Sequence, residues 1–174
     1  MYSPITMNNN DFKFSEQVEF IIFDFDGVFT DNKVYVSQDG TETVVCDRRD
    51  GLGVEMLKQA GIPMLILSKE RNPVVIARSE KLGLEVKTGC DDKKRFLLDF
   101  IRQKGVDSAS VIYVGNDLND LEAMETVGCS ICPSDSHKKV KEIASYILTA
   151  VGGNGAVREF AELILSHDSN RTVV

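Results

Sequence analysis

Four short stretches of this 174-residue sequence hold the side chains best suited to chemistry, and each stands where an apolar run ends or a helix could begin. The stretches are Asp24-Phe25-Asp26-Gly27, Ser68-Lys69, Asp92-Lys93-Lys94 and Gly115-Asn116-Asp117-Leu118-Asn119-Asp120. Brought together, they would gather the four carboxylates of Asp24, Asp26, Asp117 and Asp120, a hydroxyl and at least one lysine. Four carboxylates in one crevice cannot all stay ionised without a counter-charge. A hard dication with oxygen ligands supplies that charge, so the pattern predicts a magnesium site.

The residue types suggest a division of roles around such a metal. Asp24 and Asp117 are the expected side-chain ligands, because carboxylate oxygens suit magnesium. Lys93 could neutralise the oxygen atoms of a phosphoryl group bound beside it. The sequence carries a net charge of −7, which repels a small anionic substrate. A metal or a local group of cations must therefore reverse the potential at the site.

Each stretch also has a purely structural interpretation when it is taken alone. The first could belong to a calcium-binding loop, but its glycine is two positions early for an EF-hand and Tyr35 stands where the final Glu should be. The last could be a solvated turn, Ser68 a turn hydroxyl and Lys93 an exposed helix residue. The functional interpretation depends on all four occurring in order, each at a strand end or a helix start.

Apolar runs alternate with amphipathic stretches, which predicts the elements that position these side chains. Strands are predicted at Val18–Phe25, Pro63–Leu67, Leu84–Lys87, Ser110–Val114, Cys129–Cys132 and Tyr146–Thr149, and helices at Asp50–Ala60, Asn72–Gly83, Asp92–Lys104, Asp120–Val127, Asp135–Ala144 and Ala156–Ser166. Lys33–Cys46 holds two β-rich runs around Asp39-Gly40, the pattern of a hairpin. We therefore expect an α/β fold, with a doubly wound, mainly parallel sheet, helices on both faces and a small hairpin insertion. In such sheets ligands bind at the carboxyl ends of the strands.

Length and composition indicate one main domain at residues 18–166, with an N-terminal arm at 1–17 and a C-terminal tail at 167–174. The sequence is 43% hydrophobic and 27% charged, an ordinary composition for a soluble protein. Its acidic balance argues against nucleic acid as a partner, and no apolar run is long enough to cross a membrane. Because the N-terminus lacks the charged-then-apolar order of a signal peptide, we expect a cytoplasmic protein.

Two of the four cysteines, Cys129 and Cys132, form a C-x-x-C. They lie in a predicted strand, where positions three apart face opposite sides. A single C-x-x-C also supplies only half of a structural zinc site. We interpret these cysteines as buried apolar residues rather than as a redox pair or as zinc ligands.

The four stretches resemble the four motifs of haloacid dehalogenase-like phosphatases, as DFDGVFTD (Asp24–Asp31), the strand-end Ser68, Lys93 and GNDLND (Gly115–Asp120). Over about residues 18–165 the sequence is similar to the small capless branch that dephosphorylates 3-deoxy-2-keto sugar acids. It also resembles a domain fused to some acylneuraminate cytidylyltransferases. The stretches that carry this closer resemblance are RRDGLGVEMLKQAGI (Arg48–Ile62), ILSKERNPVV (Ile66–Val75) and GGNGAVRE (Gly152–Glu159).

The resemblance implies a reaction through an aspartyl phosphate. Asp24 would attack phosphorus, and Asp26 would protonate the leaving alkoxide and later deprotonate the hydrolytic water. Mg²⁺ would be held by Asp24, Asp117 and the backbone carbonyl of Asp26. Many members of the family carry an acid where this chain has Asn116, which removes one charge near the metal.

The remaining motif residues would handle the phosphate. Ser68 and Lys93 would bind phosphoryl oxygens, and Asp120 would orient Lys93 or a metal-bound water. Gly27, at the end of the first motif, is expected among the substrate-binding residues.

The resemblance also implies the substrate, a small anionic sugar acid that carries a primary phosphate ester. We expect a nine-carbon sialic-type 9-phosphate or 3-deoxy-manno-octulosonate 8-phosphate, with the nine-carbon acid ranked ahead on the SKERNPVV stretch alone. Planar arginine suits a substrate carboxylate. Arg49 and Arg71 are the best placed by sequence, although each could be a solvated loop cation.

A site without a cap domain needs another cover to exclude water. The resemblance implies a homotetramer in which hairpins pack together and a neighbour's C-terminal segment, here including Arg171, approaches the site.

Two other functions stay open at this point. One is a non-catalytic oligomerisation module, and the other a receiver-type signalling domain, which lacks a second acid two residues after its acceptor and does not place that acceptor on the first strand.

Overall fold

A six-stranded sheet supports all four motif stretches in the computed structural model, which describes Phe14 and residues 17–167. Its strands are β1 (Phe20–Phe23), β4 (Met64–Leu67), β5 (Glu85–Lys87), β6 (Val111–Val114), β7 (Cys129–Cys132) and β8 (Tyr146–Ile147). The strand order is β5-β4-β1-β6-β7-β8, and every neighbouring pair is parallel. The chain runs outward from β1 in one direction and then from β6 in the other, so the direction reverses between them. In doubly wound sheets this reversal opens the crevice in which ligands bind.

The six helices form two layers, one on each face of the sheet. They are α1 (Arg48–Gln59), α2 (Pro73–Leu82), α3 (Lys93–Lys104), α4 (Leu121–Met124), α5 (Lys138–Ile143) and α6 (Ala156–His167). Alternate residues of β1 enter different apolar clusters, with Phe23 packed against Phe160 of α6 and Phe20 against Phe100 of α3. The predicted doubly wound α/β fold is therefore confirmed.

Local signals set the ends of several helices as predicted. The Asn72 side chain caps α2 by accepting a hydrogen bond from the Val74 amide at 3.0 Å, and Pro73 is the first helical residue. Gly83 and Gly105 end α2 and α3 in the left-handed conformation.

The start of α1 differs from the prediction. Asp47 caps this helix by accepting from the Arg49 amide at 2.7 Å, whereas Asp50, the predicted cap, lies inside the first turn and is fully buried. Asp50 instead accepts a hydrogen bond from the amide of Arg158 in α6, which the local sequence could not indicate.

Two other helices are shorter than predicted. α4 covers only Leu121–Met124: it begins after Asp120, whose side chain makes no capping hydrogen bond, and it ends three residues before Val127. α5 begins after His137, since the Asp135 carboxylate accepts from the amide of Gly152.

The predicted hairpin is present as β2 (Tyr35–Val36) paired antiparallel with β3 (Glu42–Thr43). Gly40 makes the turn with a φ of 83°, a conformation that favours glycine. Because this hairpin is the only insertion between β1 and α1, the described chain has no cap domain.

Cys129 and Cys132 are buried on opposite faces of the sheet, as predicted. Within residues 17–167 no helix has the length and apolarity that a transmembrane span requires.

Candidate active site

A buried network of charges lies where β1 and β6 end. Asp24 directly follows β1, and its Oδ1 lies 2.8 Å from the Nζ of Lys93, the first residue of α3. The same Nζ lies 2.7 Å from the Oδ1 of Asp120. All three side chains are at most 5% exposed. Lys93 therefore joins the predicted nucleophile to the last residue of the fourth motif.

Asp120 is held by hydrogen bonds to both of its carboxylate oxygens. The Tyr113 hydroxyl donates to Oδ1 at 2.8 Å, and the backbone amides of Asn116 and Asp117 donate to Oδ2 at 2.9 and 3.2 Å. This arrangement explains why Asp120 does not cap α4. Sequence reasoning missed Tyr113, although a tyrosine inside an apolar strand needs a buried hydrogen-bond partner, which was the available signal.

The network carries more negative than positive charge. Burial raises the pKa of Asp24, the neighbouring Asp120 carboxylate raises it further, and Lys93 offsets only part of the effect. For Lys93, burial alone would lower the pKa, but the two carboxylates outweigh it and raise the pKa. Lys93 thus stays charged, and the site retains an excess of negative charge that a bound dication would offset.

The turn after Asp24 depends on glycine. Gly27 has a φ of 79°, and a Cβ at this position would collide with the side chain of Asn116. Its amide donates to the Thr30 Oγ1 at 3.1 Å. This turn leaves Asp26 half-buried, where desolvation first and the charge of Glu70 second raise the pKa of its carboxyl group.

Ser68 lies at the end of β4, the strand beside β1. It is buried, and its Oγ accepts from the Glu70 amide at 3.1 Å. The hydroxyl hydrogen remains a donor, which suits a phosphoryl oxygen.

The oxygens that could hold a metal belong to the first and fourth motifs. Within residues 17–167, no group of three or more His, Cys, Asp and Glu side chains is close enough to hold a metal. However, the Oδ1 of Asn116 is buried without a hydrogen-bond partner among the described residues, beside the Gly27 turn. A buried amide oxygen without a donor costs about 1–3 kcal/mol, and a cation would satisfy it. Together with the surplus charge at Asp24, this oxygen makes the site fit for a hard dication.

Known proteins are similar to this chain in sequence and fold. The sequence pattern of the haloacid dehalogenase-like hydrolases matches residues 64–160. The 3-deoxy-D-manno-octulosonate 8-phosphate phosphatase of Haemophilus influenzae is 33% identical over 159 residues, covering 91% of this chain and 88% of that protein. The chain belongs to the haloacid dehalogenase-like hydrolases.

Solved structures of this family are also similar to the chain. The 3-deoxy-D-manno-octulosonate 8-phosphate phosphatase of Moraxella catarrhalis, solved with a magnesium ion, a phosphate ion and KDO, is 34% identical with a TM-score of 0.84 over 88% of each chain. A hydrolase of the same family from Streptomyces avermitilis is 42% identical, with a TM-score of 0.85 over 90% of this chain and 91% of its own. The chain is accordingly an enzyme, a phosphatase of the capless branch, and not a receiver-type signalling domain.

A pocket of about 250 Å³ opens beside Asp26 of this phosphatase. Its polar lining consists of Asp26, Asn32, Lys33, Glu42, Glu70 and Asn72, and its apolar lining of Phe25, Val34, Val44, Val74 and Val75. Lys33, which sequence reasoning did not single out, is the one cation in this lining.

The two arginines predicted to bind substrate do not line this pocket. The Arg49 guanidinium pairs with Asp47 at 2.5 Å and donates to the Asn154 Oδ1 at 2.6 Å. The Arg71 side chain is 77% exposed, and its guanidinium lies 3.4 Å from the Asp91 carboxylate. The structure therefore brings Asp24, Lys93 and Asp120 into direct contact, and leaves Arg49 and Arg71 outside the pocket.

Proposed function

We propose that this phosphatase hydrolyses the primary phosphate ester of a 2-keto-3-deoxy sugar acid through a phosphoaspartate at Asp24, with Mg²⁺ as cofactor. The observation that carries the proposal is the position of Asp24, at a strand end, in contact with buried Lys93 and two residues before an acid with a raised pKa.

The reaction has two steps that use the same pair of acids. In the first, an Asp24 oxygen attacks phosphorus, the bond from phosphorus to the ester oxygen breaks, and Asp26 gives that oxygen its proton. In the second, Asp26 takes a proton from water, and the water oxygen attacks the phosphoaspartate. Inorganic phosphate leaves and Asp24 is regenerated. The raised pKa of Asp26 supports this role, because an acid must be protonated before it can donate.

Ser68 and Lys93 bind the non-bridging oxygens during both steps. Lys93 already faces Asp24, so a phosphoryl group on that carboxylate lies within reach of an ammonium that remains charged. Asp120 orients Lys93, and Tyr113 in turn holds Asp120.

Asp24, the backbone carbonyl of Asp26 and Asp117 would hold the magnesium. The unpartnered Oδ1 of Asn116 adds a fourth oxygen donor, which compensates for the absence of an acid at this position. When bound, Mg²⁺ neutralises negative charge on the phosphoryl group.

The relatives named above favour an eight-carbon substrate, 3-deoxy-D-manno-octulosonate 8-phosphate. We therefore rank it ahead of the nine-carbon sialic-type phosphate, which reverses the order expected from the SKERNPVV stretch. The pocket beside Asp26 would receive the hydroxylated carbons next to the phosphate, since its amides and carboxylates suit hydroxyl groups.

The test is a side-by-side measurement of kcat/KM with Mg²⁺ for the two sugar acid phosphates and for glucose 6-phosphate. We expect both sugar acids to be preferred over glucose 6-phosphate and the octulosonate to be preferred overall. Comparable turnover of all three would contradict the substrate class but not the reaction, whereas no turnover of any would contradict both.

We also propose that the chain forms a homotetramer through its hairpin. Tyr35 and Val36 are each 64% exposed and Val34 is 49% exposed, a high exposure for three consecutive apolar side chains. Light scattering of the wild type and of Tyr35→Lys tests this, with a smaller species expected for the variant. A wild type that is monomeric at assay concentration would refute the tetramer. Arg171 and the rest of the expected covering segment lie outside the described residues.

A further inference from the structure

Asp50 is the most deeply buried carboxylate outside the proposed reaction. It lies in the first turn of α1 and has no exposed surface. Its Oδ1 accepts from the amide of Arg158 at 3.1 Å, while its Oδ2 has no hydrogen-bond partner in the described part of the chain. Burial raises the pKa of Asp50 to about 6, and the backbone amides of Arg158, Val157 and Gly155 lower it in part.

These amides belong to the first turn of α6 and the residue before it. That turn points positive backbone dipoles at Asp50, so Asp50 occupies the capping position of a helix other than its own. The two helices also touch directly at Gly53, where a Cβ would lie 2.8 Å from the backbone of Arg158. Since α6 starts at residue 156, Asp50 fixes where the preceding loop ends.

The loop of residues 152–155, here called the clasp, reaches the turn that carries Asp26. A Cβ at Gly152 would collide with the carbonyl oxygen of Gly27, so the two backbones are in contact. The Gly153 amide donates to the Val28 carbonyl at 3.0 Å. The Asn154 side chain accepts from Arg49, beside Asp50 in α1.

We propose that Asp50 is a positioning residue for catalysis, which holds the clasp against the Gly27 turn and thereby keeps Asp26 where it can protonate the leaving group. Because Asp50 has no exposed surface, it acts through the clasp and not by contact with the substrate. This inference rests on the proposed role of Asp26 as general acid. It also gives Arg49 a structural role, as the exposed link between α1 and the clasp.

The inference predicts a dependence on the leaving group. An alkyl phosphate needs a proton on its leaving oxygen, whereas p-nitrophenyl phosphate releases a stable phenolate without one. Misplacement of a general acid by a fraction of an ångström should therefore slow the alkyl ester selectively. A general loss of folded protein would slow both esters equally.

The experiment compares kcat/KM, which reports the formation of the phosphoaspartate and not its hydrolysis, for octulosonate 8-phosphate and for p-nitrophenyl phosphate in Asp50→Asn, Gly152→Ala, Asp26→Asn and Phe100→Leu. Phe100→Leu is the control, because it weakens packing on the opposite face of the sheet. We expect Asp50→Asn and Gly152→Ala to lower kcat/KM about tenfold for the alkyl ester and less than about twofold for the aryl ester. Hydrogen exchange at the Gly153 amide should also be faster in Asp50→Asn than in Phe100→Leu, when the two variants are compared under conditions in which they are equally stable.

Asp26→Asn tests the role of Asp26 as general acid separately from the role of the clasp. If it slows the alkyl ester at least about a hundredfold more than the aryl ester, Asp26 is the general acid. Equal slowing of both esters by Asp26→Asn would overturn the proposed function. Selective slowing by Asp26→Asn, together with equal effects on both esters in Asp50→Asn and Gly152→Ala, would overturn the clasp alone.

Discussion

The charge network of Asp24, Lys93, Asp120 and Tyr113 differs sharply from two exposed cations, here called the mouth. These are Lys33, in the pocket lining, and Arg71, which stands between the lining residues Glu70 and Asn72 in sequence but does not itself line the pocket. In the network every charged group is buried and lies within 2.8 Å of a partner. At the mouth, Lys33 and Arg71 are 75% and 77% exposed, and each has one carboxylate at 3.4–3.5 Å. A buried charge that loses its partner costs about 3–5 kcal/mol, whereas an exposed pair contributes about 0–1 kcal/mol.

This difference separates two tasks of the enzyme. The network needs fixed geometry, because in the proposed reaction the Asp24 carboxylate and the phosphate-binding Lys93 must be aligned before the attack. The mouth needs only to attract and sort substrates, which an exposed cation does through its long-range field. Mutations in the network should therefore change kcat, and mutations at the mouth should change KM.

The largest expected effect is the loss of the nucleophile. Asp24→Asn should lower kcat by at least about 10³-fold, because no other group can form the phosphoenzyme. The fold should persist, since Lys93 keeps its contact with Asp120. Activity and circular dichroism of the purified variant test both statements. A folded variant that keeps more than about a tenth of wild-type activity, a loss under ~1.4 kcal/mol, would show that Asp24 is not the nucleophile.

Metal removal comes next. EDTA should abolish activity, Mg²⁺ should restore it, and Ca²⁺ should restore little, because its larger and looser shell misplaces the in-line geometry. Full activity after exhaustive chelation would exclude the metal.

Asn116 and Asp117, the two candidate metal ligands of the fourth motif, can be compared by the Mg²⁺ concentration that their variants need for activity. We expect Asn116→Ala to raise the Mg²⁺ concentration for half-maximal activity by about tenfold or more, as Asp117→Asn should. Asn116→Asp is the matched control and should lower that concentration. If Asn116→Ala leaves it unchanged, the unpartnered amide oxygen is not a ligand.

Tyr113→Phe tests the hydrogen bond between the Tyr113 hydroxyl and Asp120. The Asp120 carboxylate loses one donor but keeps Lys93 and two backbone amides, so we expect kcat to fall about tenfold with KM within about twofold. Tyr35→Phe, which removes an exposed hydroxyl from the hairpin, serves as the control. A Tyr113→Phe enzyme with wild-type kcat would mean that the tyrosine only fills the core.

At the mouth, Arg71→Ala and Lys33→Ala should raise KM for the sugar acid phosphate by no more than about fivefold and leave kcat unchanged. Lys93→Met, in contrast, should lower kcat by about a hundredfold or more. If Arg71→Ala lowered kcat as strongly as Lys93→Met does, the distinction between the network and the mouth would fail.

The smallest expected effect is a shift in pH dependence. The Glu70 charge raises the pKa of Asp26, so Glu70→Gln should lower that pKa. Asp26 then loses its proton at a lower pH, and the alkaline limb of the kcat/KM profile should move to lower pH by less than about one unit. Glu42→Gln should move it in the same direction but less far. A limb that moves to higher pH would contradict the assignment of Asp26 as the acid.

Much of the fold could be predicted because its signals are local. Strand periodicity, the Asn72-Pro73 start and the Gly83 end of α2 each depend on residues within one helical turn or strand of each other. The positions of Asp24, Lys93 and Asp120 at one edge of the sheet followed as well, because parallel strands share their carboxyl edge. These positions required the order of the motifs along the chain and no knowledge of tertiary contacts.

The tertiary structure alone decided which polar groups meet across the chain. Asp50 had the local appearance of a helix cap but binds the start of α6, 108 positions away. The sequence shows Tyr113 only as a residue of an apolar strand, whereas in the structure its hydroxyl donates to Asp120. Arg71 is close to Ser68 in sequence, but its side chain is exposed to solvent. Sequence determines which groups can ionise, donate or cap, because those properties belong to single residues and their neighbours. Packing decides which of them are desolvated and paired, because burial depends on elements that are distant in the chain.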